Sequence, residues 1–68
     1  MKISARNVLH GTITNVLKGA TTSHILIDVN GRTITASITN EAVDDLQLKQ
    51  GMPAYAIIKA SDVMVGID

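Results

Sequence analysis

Two short stretches near opposite ends of the chain carry the residue types best suited to chemistry: Ser-Ala-Arg at residues 4–6 and Lys-Ala-Ser at residues 59–61. Each combines one cation with a hydroxyl and a small residue that lets backbone N–H groups approach closely. A fixed positive charge, neutral donors and accessible N–H groups are the components of an oxyanion site. We therefore expect the fold to bring the two stretches together, across a subunit boundary, around an anion.

The two cations differ in a way that suits a small dianion. Arg6 offers planar, fixed donors, and Lys59 offers a compact charge. A dianion taken out of water needs several donors and roughly two compensating charges, which these stretches supply. The competing interpretation is that both are solvated side chains at strand ends, as lysines and arginines usually are.

The length and composition bound what such a chain can be. Its 68 residues make one domain, and a chain this short buries only about 60% of its unfolded surface. The absence of cysteine removes disulfides and thiolate metal sites, and two histidines are too few for a structural zinc cage. Association with partner subunits is the remaining stabilising device.

The apolar composition also predicts association with partner subunits. They make up 46% of the chain, but Tyr55 is the only aromatic one. The aliphatic content exceeds what one small core needs, and this predicts a homo-oligomer with Tyr55 filling a core or an interface.

The charge balance argues against several function classes. Six cationic and six acidic side chains cancel, whereas a nucleic-acid surface shows a basic excess and aromatic stacking platforms. A single-stranded nucleic-acid-binding module is therefore the alternative rather than the favoured interpretation. No nucleophile–base–orienter set or phosphate loop is visible, so we expect a protein that is not an enzyme.

Targeting signals are also missing. No apolar run reaches 18 residues, and the first residues lack the apolar region of a signal peptide. We expect a free-standing cytoplasmic protein with no membrane partner.

The elements that must position the two stretches are mostly strands. Alternating apolar residues predict strands over Lys2–Lys18, Thr21–Val29 and Arg32–Thr39, with a bulge at Gly11 in the first. In the first strand, the alternation puts Ile3, Ala5, Leu9, Ile13 and Leu17 on the inward face. Asn30–Gly31 predicts a type I′ hairpin turn between the second and third strands.

The second half of the chain changes pattern. Thr39 or Asn40 can cap a short helix that ends by Gly51, and strands follow over Ala54–Lys59 and Val63–Ile67. This order predicts an all-β fold: a five-stranded OB-type Greek-key barrel over residues 1–68, with one short helix between strands 3 and 4.

The motifs of this chain resemble those of the molbindins, the Mop or TOBE-type molybdenum-binding domains. The resemblance covers nearly the whole chain. It is carried by Ser4-Ala5-Arg6-Asn7, Leu9, Gly11, Lys18-Gly19, Ile34–Thr39, Gly51-Met52 and Ile58–Met64.

The resemblance implies a specific function and assembly. Molbindins are OB-type proteins that form homohexamers, as trimers of dimers, and bind molybdate or tungstate at subunit interfaces in molybdenum storage. Carried onto this chain, the implied oxyanion ligands are Ser4, Ala5, Arg6, Thr39, Lys59, Ala60 and Ser61. The bound species is an oxyanion, so we expect no site for a bare metal cation.

The family also has a second kind of site nearer its three-fold axis. The candidate residues for a second site here are Gly19, Thr21, Thr22 and Ser23, for which a polar strand start is the competing interpretation. His10 and His24 are interpreted as solvent-facing strand residues rather than metal ligands. Asn7 is interpreted as a structural amide among apolar neighbours, with a role in orienting Arg6 as the alternative.

Overall fold

The computed structural model describes residues 1–68. It contains one antiparallel sheet with the strand order β3-β2-β1-β4. The elements in chain order are β1 Asn7–Lys18, β2 Thr22–Val29, β3 Arg32–Thr39, α1 Asn40–Leu46, β4 Pro53–Ile58 and a 3₁₀ turn Ala60–Asp62. The chain contains no helix that is long and apolar enough to cross a membrane.

The long strand β1 serves two neighbours. Its residues 7–12 pair with β4, and its residues 12–18 pair with β2. Gly11 lies where the two pairings meet, and a Cβ atom there would lie 2.3 Å from the carbonyl oxygen of Asp28. Only glycine permits this close approach of two backbones.

The irregularity predicted at Gly11 lies instead between Ile13 and Asn15, where the register of β1 against β2 shifts. An extra residue reverses the alternation beyond it. Leu17, predicted to face inward, is therefore 50% exposed, and Val16 packs against the core in its place.

The predicted hairpin between β2 and β3 is confirmed. Asn30 and Gly31 both have positive φ angles, 51° and 84°, as a type I′ turn requires. Val29 pairs with Arg32 across this turn. The inward residues of β3, namely Ile34, Ala36 and Ile38, pack against the core as predicted.

Helix α1 begins at the predicted cap and ends before Gly51, as predicted. The Thr39 hydroxyl accepts a hydrogen bond from the Ala42 N–H at 3.1 Å, which makes Thr39 the N-cap. At the other end Gln47 adopts a left-handed conformation, and the N–H groups of Gln47 and Leu48 bind the carbonyls of Asp44 and Val43. This Schellman arrangement stops the helix before Gly51.

The core is small. Its buried apolar residues are Ile13, Ile25, Ile27, Val43 and Ala56, drawn from β1, β2, α1 and β4. Only six of the 68 residues are buried, the sixth being Ser23. So small a core leaves much aliphatic surface outside it.

The all-β class and the short helix between β3 and β4 are as predicted, but the predicted five-stranded barrel does not form. Four strands form, and Val63–Ile67 is not a strand. A strand needs a neighbour to complete its backbone hydrogen bonds, and no strand of the chain lies beside this segment. The sheet therefore stays open, with β3 and β4 as its edges, and the tail is exposed, to 95% at Ile67.

The first strand is also shorter than predicted. It begins at Asn7 rather than Lys2, because β4 ends at Ile58, the residue that pairs with Asn7. Residues 1–6 extend beyond the sheet and have no partner strand.

Candidate functional site

The pairing of β1 with β4 brings the two cationic stretches together. These strands are antiparallel, and Asn7–Ile58 is the last pair of their ladder. Arg6 and Lys59 are the next residues outward on each side. The two stretches thus leave the sheet at the same point, although more than 50 positions separate them in sequence.

A cavity of about 390 Å³ lies between the stretches. It is lined by Ile3, Ser4, Ala5, Arg6, Lys59, Ala60 and Ser61. Six of the seven residues predicted to bind an oxyanion therefore surround one space. We expected them to meet across a subunit boundary, whereas a single chain is enough to bring them together.

The charges around this cavity are not neutralised by the protein. The chain contains one salt bridge, between Lys18 and Asp44 at 2.9 Å, and it lies elsewhere. Arg6 and Lys59 have no carboxylate partner and line the same space. Because both cations border the cavity, an anion placed in it would be attracted by both.

The second stretch is locally ordered. The carbonyl of Lys59 accepts a hydrogen bond from the Asp62 N–H at 2.9 Å, and that of Ala60 accepts one from the Val63 N–H at 3.3 Å. These bonds form the 3₁₀ turn. The first N–H groups of such a turn have no acceptor within it, which leaves them available as donors beside the lysine.

Thr39 lies elsewhere in the chain. It ends β3, where it pairs with Thr22, and β3 and β4 form opposite edges of the sheet. Its hydroxyl oxygen caps α1, and it is not among the cavity residues. A single chain does not bring Thr39 to Arg6 and Lys59.

The candidate second site forms an internally bonded loop. Ser23 is fully buried, and its hydroxyl donates to Oδ1 of Asn40 at 2.5 Å. The Asn40 amide donates in turn to the carbonyls of Gly19 and Ala20. Thr21 and Thr22 are exposed. These bonds give Ser23 a structural partner within the protein.

Sequence reasoning missed two features of this region. Asn40 was considered only as a helix cap, and nothing in the pattern distinguishes its role as the residue that holds the Gly19–Ser23 loop. Ile3 was assigned to the inward face of a strand, but it lines the cavity. Its position next to the Ser-Ala-Arg stretch was the available signal.

The histidines and acidic residues form no cluster of three or more that could hold a metal ion. His10 lies opposite Tyr55 across β1 and β4, with ring centroids 5.2 Å apart, and His24 lies opposite Ser37. A second cavity, of about 410 Å³, lies beside α1 and contains the paired Lys18 and Asp44.

Known proteins match this chain in sequence and in fold. The TOBE domain family model matches residues 3–65. A probable molybdenum-pterin-binding protein of Haemophilus influenzae is 44% identical, with all of both chains covered. The molybdate-binding protein of Sporomusa ovata superposes with a TM-score of 0.94 at 37% identity, covering 98% of this chain and 100% of that one.

The chain is also similar to a further solved structure. The cytoplasmic molybdate-binding protein ModG, with molybdate bound, has a TM-score of 0.94 and 40% identity. All of this chain is covered, and it spans 49% of the ModG chain.

The fold and the cavity define a small all-β ligand-binding module with an unneutralised cationic pocket. The chain belongs to the TOBE domain family, in its molbindin (Mop) branch.

Proposed function

We propose that this protein binds molybdate, or the chemically similar tungstate, and serves cytoplasmic molybdenum storage and homeostasis. The observation that carries the proposal is the pair of cations, Arg6 and Lys59, that line one cavity without a carboxylate partner. The molybdate-binding relatives support the choice of ligand. On this proposal the protein is a binding protein rather than an enzyme.

The donor set suits a tetrahedral dianion. One arginine and one lysine provide two positive charges, so the bound dianion is close to neutralised. The hydroxyls of Ser4 and Ser61 donate without adding charge, and Ala5 and Ala60 leave room for backbone N–H groups. No carboxylate lines the cavity to repel an anion.

The ligand-binding form is proposed to be a homo-oligomer. The isolated chain exposes 5434 Å², whereas folded monomers of its mass, 7.2 kDa, expose about 4,100 Å². The excess of roughly 1,300 Å² is larger than the about 800 Å² that each partner buries in a standard interface. This excess supports self-association, and the family resemblance implies that the oligomer is a homohexamer, a trimer of dimers.

Two exposed apolar surfaces are available for that assembly. One is the tail Val63–Asp68, which contains Met64, Val65 and Ile67. The other is the outer face of β1 and β4, where Val8 lies opposite Ile57 and His10 lies opposite Tyr55. Tyr55 is 54% exposed in the single chain, which favours an interface role over a core role.

Assembly and binding are proposed to be coupled. Ser4, Arg6, Lys59 and Ser61 are all exposed, so the cavity of one chain is open to water. A second protomer that covers it excludes water and strengthens each charge–dipole contact. The Thr39 hydroxyl, a ligand that the resemblance implies, would then come from another protomer. A ligand bound at such an interface stabilises the oligomer by mass action.

Calorimetric titration with molybdate tests the proposal. We expect binding at micromolar concentrations, with no heat from single-stranded oligonucleotides, the ligand of the alternative OB-type function. Arg6→Ala and Lys59→Ala should each weaken molybdate binding by about tenfold or more, because each removes a charge-assisted donor. The matched controls are Arg32→Ala and Lys49→Ala, which remove exposed cations outside the cavity.

Absence of molybdate and tungstate binding at tens of micromolar would refute the function. Equal losses in the cavity variants and in their controls would refute the site, because a general loss of positive charge would then explain the effect.

A further inference from the structure

We propose that Asn7 is a positioning residue for the anion cavity, fixing how the stretches that carry Arg6 and Lys59 lie relative to one another. This inference rests on the proposed function. The side-chain amide of Asn7 donates a hydrogen bond from Nδ2 to the backbone carbonyl oxygen of Ile58 at 3.2 Å. Because a carbonyl can only accept, the group that faces it is the amide nitrogen.

The bond joins the residues that border both cations. Asn7 directly follows Arg6, and Ile58 directly precedes Lys59. The Ile58 carbonyl and the Lys59 N–H belong to one planar peptide unit. Holding the carbonyl therefore also fixes the direction of the Lys59 N–H and the point from which the second stretch departs.

No other side-chain hydrogen bond joins the two stretches. The remaining ones lie at the pairing of β1 with β2 and around α1. Residues 1–6 make no backbone hydrogen bond, whereas Lys59–Ser61 are held by their own 3₁₀ turn. Asn7 is thus the last fixed point before Arg6.

The position of Asn7 in the sequence pattern supports this role. It occupies a half-buried site with the inward parity of Leu9 and Ile13, where an apolar side chain would continue the alternation. A polar group at such a site costs free energy unless it is bonded. Its one bond ends at the peptide that begins the second cationic stretch.

The benefit to binding is preorganisation. Two cations that must be brought together on binding lower the affinity, whereas cations already held by the fold do not. Asn7 transfers that cost from the binding step to folding.

The test compares Asn7→Leu with wild type by calorimetric titration with molybdate, using the intact protein. Leu is similar in size and lacks the donor, so we expect the Kd to rise about tenfold, the upper range for one lost hydrogen bond. Asn7→Gln keeps an amide donor and should recover part of the affinity. Thr14→Val is the matched control, since it removes another bond from a side chain to a neighbouring strand, Thr14 Oγ1 to the Leu26 carbonyl at 3.3 Å.

Amide hydrogen exchange supplies a readout that a general loss of stability would not reproduce. In the anion-free protein, Asn7→Leu should speed exchange at the Asp62 and Val63 amides, which donate to the Lys59 and Ala60 carbonyls, while leaving the β2–β3 ladder as in wild type. Thr14→Val should leave the Asp62 and Val63 amides unchanged.

The outcomes separate this inference from the proposed function. If wild type binds molybdate and Arg6→Ala weakens it, but Asn7→Leu binds as tightly as wild type, the positioning role is overturned and the function stands. If wild type does not bind molybdate, the function itself is overturned. Should Asn7→Leu fail to fold, Asn7→Ser, whose hydroxyl is too short to reach Ile58, replaces it: wild-type affinity would overturn the role, and a tenfold loss would support it.

Discussion

Arg6 and Lys59 are proposed as anion ligands because of where they lie, not because of their residue types alone. Neither is buried, and each alone resembles any surface cation. Their significance comes from the shared cavity and the missing carboxylates, since six acidic residues were available to pair with them and none does so. The residue types could be selected from the sequence. Their meeting within one chain could not, because it depends on where β1 and β4 pair.

At Gly11 the neighbouring backbone leaves no room for a side chain. We predict that Gly11→Ala destabilises the protein by about 1–3 kcal/mol, because its Cβ atom would overlap the Asp28 carbonyl oxygen and force β1 and β2 apart. Urea denaturation at fixed protein concentration measures the change.

Gly66→Ala is the matched control for this substitution. No atom lies within 4 Å of a Cβ atom built at Gly66, so we expect a change within about 0.5 kcal/mol. Equal stability of Gly11→Ala and wild type would show that the strands can separate there without cost.

At the scale of elements, Thr39 is expected to act first as a helix cap. Thr39→Ala should lower the free energy of unfolding by about 1 kcal/mol, because the Ala42 N–H loses its acceptor. Thr39→Ser retains a hydroxyl and should remain close to wild type. Denaturant titrations followed by circular dichroism test both.

The same pair of variants tests the proposed ligand role of Thr39. If Thr39 of another protomer contacts molybdate, Thr39→Ala should also weaken binding under conditions in which the variant is fully folded. Unchanged affinity in the folded variant would remove Thr39 from the ligand set.

Structure that depends on neighbouring residues was predicted well from the sequence. Structure that depends on residues far away in the chain was missed. The Asn30–Gly31 hairpin, the Thr39 cap and the inward face of β3 each follow from a few neighbouring residues, and all three are present. The shift beyond Ile13 and the failure of Val63–Ile67 to form a strand depend on which partner strand lies alongside. The tail does have the apolar alternation of a strand, but it has no partner strand with which to form backbone hydrogen bonds.

For the candidate site, too, the sequence predicted the residue types but not every contact between distant residues. Six of the seven predicted ligand residues share a cavity because motif residues at the two strand ends are carried there by one ladder. The sequence raised an orienting role for Asn7 only as an alternative, and the partner of its bond could not be predicted, since the acceptor is a backbone carbonyl 51 positions away.

For the whole molecule, the excess exposed area predicts self-association. We expect an oligomer in sedimentation equilibrium at micromolar concentration, because the open sheet and apolar tail leave more surface than a stable monomer exposes. The family resemblance implies that this oligomer is a hexamer. A monomer at that concentration would contradict the assembly.

The tail can be tested separately. Val65→Asp places a charge in an apolar segment that is 91% exposed at this residue in the single chain. If the tail is buried by assembly, this substitution should shift the sedimentation profile toward smaller species, whereas Asp68→Asn should not. An unchanged hexamer would exclude the tail from the interface.

The most direct measurement of the central claim is a crystal structure grown with tungstate, whose anomalous scattering locates every bound oxyanion. Our account predicts a tungsten peak in the cavity between the two stretches, with its oxygens within hydrogen-bonding distance of the Arg6 guanidinium and the Lys59 ammonium. Tungsten peaks confined to other places, such as the Gly19–Ser23 loop, with an empty space between those two cations, would contradict it.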